Sequence, residues 1–274
     1  MSLVIVKGKD LISPEKFRAK ILLFALPGFG KTEFLGTACP GIGIAACETG
    51  QGNGLLTIAD RDPDCVFPES VAELKLLPEV IAAGRLFADK GAVGLDSLSY
   101  MAHSFIKKEA LRIKRTKGVD SGKRAAGVPE LDDYGTMGNL TRDILDPILR
   151  LDKHVLVTAT LKIKEPKEDE PGGIFLIGPD LPGAMFTGSA AMFDVVMCGR
   201  SRTYLKDPKD AKSRVTDRYW LTYGDANYLV KCRCNSNGVP LLEKEEPYDP
   251  INGVGTFPTL LKKIVDRYAE GVEG

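Results

Sequence analysis

Ile21-Leu22-Leu23-Phe24-Ala25-Leu26-Pro27-Gly28-Phe29-Gly30-Lys31-Thr32 is the stretch on which the fold turns. An apolar run of strand length breaks into a glycine-containing loop and ends in Gly-Lys-Thr. Residues 33–38 can then begin a helix. Strand, glycine loop and helix start in that order are the context of a phosphate-binding P-loop. Glycines let successive N–H groups turn inward around phosphate oxygens, and the helix N-terminus adds partial positive charge. The nucleotide cradle is therefore expected at Pro27, Gly28, Phe29, Gly30, Lys31, Thr32 and Glu33. Lys31 would reach the β- and γ-phosphates, and the Thr32 hydroxyl would hold Mg²⁺. The alternative is a glycine turn that happens to precede a lysine. Ala25 stands where the motif usually has its first glycine, and its extra methyl group could slow turnover.

Working outward, 42–47 reads as a second buried strand running into Glu48-Thr49-Gly50. After Pro68-Glu69-Ser70 the leucines and valines take helical spacing, and Pro78 should split that stretch into a short helix and a second one reaching about residue 88. Residues 91–97 form a third strand ending in an aspartate, followed by a helix over 98–113. The stretch through residue 127 reads as a loop. A helix over 129–151 carries Leu140, Ile144, Ile148 and Leu151 on one face, with Pro147 kinking or restarting it. Residues 155–160 make a fourth strand.

Beyond that point short strands are expected at 172–177, 193–198, 218–223 and 228–232. Gly224-Asp225-Ala226-Asn227 looks like a hairpin loop. A helix over 258–270 closes the chain. Strands alternating with helices argue for a mainly parallel sheet with helices on both faces, with antiparallel strands added toward the C-terminus. The expected organisation is one domain over 1–274, with a core at about 20–235 and an extension from 236. Ligands of such sheets sit at the carboxyl ends of the strands, where the P-loop, Glu48, Asp96 and Thr158–Thr160 all fall.

Asp96 is placed to bind Mg²⁺ directly or through water, or else to cap the helix after it. Glu48 could act as general base on the attacking water, or be an ordinary turn glutamate. Thr160 and Lys162 could sense the γ-phosphate or simply end a strand. Alternation puts Lys231 and Arg233 on one face of a late strand. There they could reach a neighbouring subunit's phosphate, or blunt a solvated edge strand.

The 37 basic and 37 acidic residues cancel, so overall charge excludes nothing. Local charge does more. Lys107, Lys108, Arg112, Lys114, Arg115, Lys117, Lys123 and Arg124 stand against only Glu109 and Asp120. That run could follow a nucleic-acid backbone, or be a solvated helix end. The six cysteines form no C-x-x-C pair, which reads as a reduced chain with incidental thiols. No apolar run approaches the ~20 residues of a membrane helix, so a soluble, cytoplasmic protein is expected.

With these residues placed, the chain resembles the AAA/RecA-type ATPases, specifically the phage-encoded single-domain RecA-like proteins linked to single-strand annealing and recombination. The resemblance covers roughly 20–235. It rests on Ala25–Thr32, Cys47-Glu48-Thr49-Gly50, Leu95-Asp96-Ser97, Val157-Thr158-Ala159, Pro179-Asp180-Leu181-Pro182-Gly183, Phe193-Asp194-Val195-Val196 and Lys231-Cys232-Arg233. Cys47 departs from the aspartate or small polar residue common there. The resemblance implies an ATPase using ATP and Mg²⁺, with Glu48 as base and Lys231 and Arg233 acting across an interface. It also implies a homo-oligomer, ring or filament, on single-stranded DNA. Competing readings are a nucleotide-dependent module that hydrolyses little and loads a partner such as a single-strand-binding protein, and an ATPase acting on protein or duplex DNA.

Overall fold

A computed structural model describes residues 17–48, 53–112, 128–166, 174–207 and 212–273. Among the described residues, ten strands form one continuous sheet. They are β1 (Lys20–Ala25), β2 (Ile42–Ala46), β3 (Asp64–Val66), β4 (Ala92–Asp96), β5 (His154–Lys164), β6 (Leu176–Pro179), β7 (Val195–Leu205), β8 (Arg214–Leu221), β9 (Lys231–Cys232) and β10 (Glu245–Pro247). The order is β10-β8-β7-β1-β5-β4-β2-β3, with β6 added to β5 and β9 to β7. From β7 through β3 every pairing is parallel. The later strands β6, β8, β9 and β10 pair antiparallel. This is the expected α/β class.

The central strands are apolar along their length because both faces are covered. Alternation on β1 divides the two layers. Leu22 and Phe24 pack with α2 (Val71–Ala82), α3 (98–112) and α4 (Leu131–Leu149). Ile21, Leu23 and Ala25 face α1 (Lys31–Gly36) and α6 (Phe257–Glu273). The helix α3 opens at Leu98–Tyr100, widens to π geometry over Met101–Ile106 and returns to α over Lys107–Arg112. A 3-10 stretch, Asn53–Arg61, packs on α1 through Ile58. A short helix, α5 (Met185–Gly188), precedes β7.

Several expectations need correction. Pro78 does not split α2, which runs through it and stops at Ala82. Burial of Leu74, Leu77, Pro78 and Ile81 against the sheet outweighs the one missing N–H. Pro147 likewise sits inside an unbroken α4, beside buried Ile144, Leu145 and Ile148. The strand expected at 172–177 begins at Leu176. Residues 224–227 are not a hairpin loop, because β9 pairs with β7 rather than β8. The antiparallel neighbours in this region are β7 and β8, with Lys206 N donating to the Ser213 carbonyl at 2.9 Å. Residues 3–6, whose Leu-Val-Ile-Val run reads as a short strand, lie outside the described residues.

Candidate active site

The strand β1 ends at Ala25, and the loop after it turns on two glycines. Gly28 has φ +79° and Gly30 φ +107°, conformations that L side chains rarely adopt. Lys31 begins α1 directly, so the loop's N–H groups and the helix N-terminus share one concavity. The Lys31 Nζ lies back over the loop, donating to the carbonyls of Ala25 (3.1 Å) and Leu26 (3.2 Å). Burial pulls its pKa down, while the charges of Asp96 and Glu48 push it up. Both carboxylates therefore share its field.

Ala25 is not part of this cradle. It is fully buried, on the face shared by Phe29 and Trp220. A Cβ built on Gly199 of the neighbouring β7 would stand 2.7 Å from the Ala25 Cβ and 2.6 Å from the Phe29 ring. The methyl group thus occupies space that the missing side chain of Gly199 leaves open, beneath the loop rather than inside it.

Asp96 ends β4, two strands from β1, and is 5 % exposed. Its Oδ2 accepts from the Thr32 hydroxyl at 2.8 Å, and its Oδ1 accepts from the buried Thr158 hydroxyl on β5. The Asp96–Ser97 peptide is cis. The cap of α3 comes from Ser97, whose Oγ accepts from Tyr100 N at 3.3 Å. The capping alternative for Asp96 thus passes to its neighbour, and the carboxylate is left to face Thr32.

Glu48 follows β2, which lies next to β4. It stands at the rim of the cleft. Its carboxyl is held above the ordinary range, first by loss of water around it and then by the Asp96 charge. A hydrogen bond with Ser97 and the charge of Lys31 oppose that shift. A carboxylate with a raised pKa facing a lysine and a second carboxylate is suited to taking a proton.

These groups converge on one cleft of ≈ 470 Å³, lined by Pro27, Gly28, Gly30, Lys31, Thr32, Glu33, Glu48, Asp96, Thr160 and Arg218 among others. Thr160 reaches it from β5, its N–H fixed by the Ser99 hydroxyl at 2.9 Å. Lys162, two residues on, pairs with Asp180 at 3.2 Å, and His103 of α3 meets the same carboxylate at 3.1 Å.

Other expected site residues lie elsewhere. Lys231 and Val196 are paired, as are Cys232 and Val195, and Val195 pairs with Ile21. The Lys231–Arg233 segment therefore sits at the amino end of β1, four residues from its P-loop end, or roughly 13 Å along the strand. There Lys231 donates to the carbonyls of Ala190 (3.3 Å) and Phe193 (2.7 Å), and Arg233 pairs with Asp194 at 2.7 Å. Neither cation serves the P-loop of its own chain. Of the basic run, Arg112 is bound through two nitrogens to Glu109, at 2.9 and 2.7 Å, and Lys108 is exposed one turn earlier beside Lys107. Lys114, Arg115, Lys117, Lys123 and Arg124 lie outside the described residues.

Two residues of the site escape a reading by motif, Arg218 and Tyr248, whereas Thr158 is expected at this strand end and holds Asp96. Arg218 Nη1 donates to the Phe29 carbonyl at 3.0 Å, and Tyr248 OH donates to the Gly30 carbonyl at 3.1 Å. Both are about 190 or more residues from the loop, and no spacing rule links them to it.

The oxygens present fit a hard divalent cation. The Thr32 hydroxyl and the Asp96 carboxylate lie side by side at the foot of the phosphate cradle. Among the described residues no group of three or more His, Cys, Asp or Glu could hold a metal by itself. A cation here would complete its shell with phosphate oxygens and water, as Mg²⁺ commonly does.

No protein-family model matches the chain, and no curated protein matches it. Among solved structures it is similar to a KaiC-like protein from the hyperthermophilic archaeon Pyrococcus horikoshii. The identity is 12 %, the TM-score 0.40, and the match covers 84 % of this chain and 85 % of that one. Among the described residues no helix is long and apolar enough to cross a membrane.

Proposed function

We propose that this chain is a RecA-like ATPase that binds ATP with Mg²⁺ at the P-loop and hydrolyses it with Glu48 as general base. One observation carries the reading. Lys31 and Thr32 from the loop after β1, Glu48 after β2 and Asp96 at the end of β4 meet in a single cleft, arranged as phosphoryl transfer requires.

Glu48 accepts a proton from a water molecule, whose oxygen attacks the γ-phosphorus as the bond to the bridging oxygen breaks and ADP leaves. Lys31 exchanges its loop carbonyls for phosphate oxygens and balances the charge that spreads over them. Mg²⁺ bound beside Thr32 and Asp96 would supply further positive charge to the β- and γ-phosphates. Thr158 holds Asp96 in place, and Thr160, on the wall of the same cleft, would sense the γ-phosphate.

The proposal extends to single-stranded DNA as the partner and to assembly of several copies on it, in recombination, annealing or repair. Its support is the basic run from Lys107 to Arg124 and the resemblance set out above. The test is the ATP hydrolysis rate with and without single-stranded DNA over a salt series, with particle size followed by light scattering. The expected result is stimulation that fades with salt and particles that grow on the strand. Unstimulated hydrolysis with no salt-sensitive DNA binding would remove the DNA partner and leave the ATPase standing.

A further inference from the structure

A loop that grips an anion with its N–H groups must turn the opposite ends of the same peptides outward. In a planar trans peptide the C=O points away from the N–H. Those outward carbonyls then need donors of their own. At this loop two of the donors come from the strands on the β8 side of β1. Arg218 on β8 donates to the Phe29 carbonyl, and the Tyr248 hydroxyl, just after β10, donates to the Gly30 carbonyl. The peptides concerned carry the N–H groups of Gly30 and Lys31, which by the same geometry point the opposite way from the two donors.

The two donors are themselves locked in place. The Arg218 guanidinium lies 5.0 Å from the centre of the Tyr248 ring, and its Nη1 is 3.4 Å from a Glu33 carboxylate oxygen. Tyr248 is 3 % exposed and stacks on Phe29, with ring centres 5.6 Å apart and planes at 17°. Trp220, fully buried, touches both rings at 4.8 and 5.0 Å. The P-loop crest is thus clamped through Phe29 and its neighbouring carbonyls to a platform made of β8 and the β10 exit. Glu33, a negative charge in the first turn of α1, would repel a polyphosphate if left alone. Arg218 neutralises it.

We infer that Arg218 and Tyr248 are positioning residues for polyphosphate: they brace the P-loop from its carbonyl side, so that the Gly30 and Lys31 N–H groups are held and polarised toward the anion. Hydrogen bonds in series polarise one another, and a cation donating to Phe29 makes the Gly30 N–H a better donor. Arg218 also lines the cleft, but its hydrogen bond, like that of Tyr248, goes to the loop backbone, so the brace favours any polyphosphate and makes no distinction between bases. The inference rests on the P-loop reading above.

The test is calorimetric titration of ATP and of inorganic tripolyphosphate, each with Mg²⁺, into wild type, Arg218→Ala, Arg218→Lys and Tyr248→Phe. Amide NMR shifts of Gly30 and Lys31 are followed in parallel. Arg218→Ala should weaken both ligands alike, by roughly tenfold for one lost charge-assisted hydrogen bond. Arg218→Lys should restore part of that loss by keeping the charge near Glu33. Tyr248→Phe should cost roughly threefold, and the Gly30 amide proton should move upfield in Arg218→Ala. Should Arg218→Ala fail to fold, the lysine and phenylalanine variants carry the test. Loss of ATP binding with tripolyphosphate binding intact would place Arg218 on the nucleoside and overturn the inference. So would folded variants that bind both ligands as tightly as wild type. If wild type binds neither ligand, the P-loop reading itself fails.

Discussion

Restoring the first glycine of the P-loop by Ala25→Gly should destabilise the protein and gain no activity. The Ala25 methyl group is fully buried against Phe29 and the bare backbone of Gly199, outside the nucleotide cleft. Removing it forfeits about 0.8 kcal/mol of apolar burial. A glycine in a strand adds about 0.5–1 kcal/mol of backbone entropy lost on folding. The sum is about 1–2 kcal/mol, or roughly 2–4 °C in Tm for a chain of this size.

The reciprocal change tests the same packing. Gly199→Ala puts a methyl group 2.6 Å from the Phe29 ring and 2.7 Å from the Ala25 Cβ, an overpacking of about 1–3 kcal/mol. Combined with Ala25→Gly, part of that cost should return, because one of the two clashes is gone. Thermal and chemical unfolding of the three variants, with ATP affinity and turnover measured alongside, give the answer. The reasoning is refuted if Ala25→Gly raises turnover or affinity several-fold, for then the methyl group does act on the phosphates.

Three further outcomes follow from the site and the core. Thr158→Val keeps the shape of the buried side chain but leaves Asp96 Oδ1 without its hydroxyl donor. It should raise the Mg²⁺ concentration needed for half-maximal hydrolysis by roughly tenfold, consistent with the loss of one hydrogen bond to a charged group, as read from a metal titration. The acid limb of kcat/KM against pH should lie above the ordinary glutamate value of 4.5, since Glu48 must lose its proton to act and its pKa is raised. His154, at the start of β5, has its pKa lowered from 6.5 to about 4 by burial and the charges of Arg18 and Lys20, and its Nδ1 accepts from Ala19 N at 3.1 Å. The unfolded chain takes up a proton below pH 6.5 that the folded chain refuses until about pH 4. Stability should therefore fall by about 3 kcal/mol across that window and level off below it, and His154→Gln should flatten the fall in denaturant titrations.

The parts of the site built from consecutive residues were legible in the sequence. A glycine loop between a strand and Lys31-Thr32, an aspartate ending an apolar strand and a glutamate ending another each carry their meaning locally. What escaped was contributed by pairing across the sheet. Arg218 and Tyr248 reach the loop only because β8 lies beside β7 and β7 beside β1, a neighbour relation that spacing along the chain does not encode. The same limit explains the misplaced hairpin. Gly224–Asn227 has turn composition, but β9 finds its hydrogen bonds on β7, at Val195 and Val196, just beyond the end of β8. Pro78 and Pro147 were weighed by their local cost, whereas burial of the helix faces around them decided the outcome. For Lys231 and Arg233, alternation along the strand could not say which end of the sheet they occupy.

The central claim is that this cleft binds ATP and that Glu48 drives its hydrolysis. The most direct measurement is single-turnover phosphate release from Mg²⁺–ATP by wild type and Glu48→Gln, with the ATP affinity of each determined in the same buffer. The account predicts that both proteins bind ATP with similar affinity and that release from the variant falls by roughly 10²–10⁴, the usual contribution of a general base. Equal rates of release, or a wild type that fails to bind ATP, would contradict it.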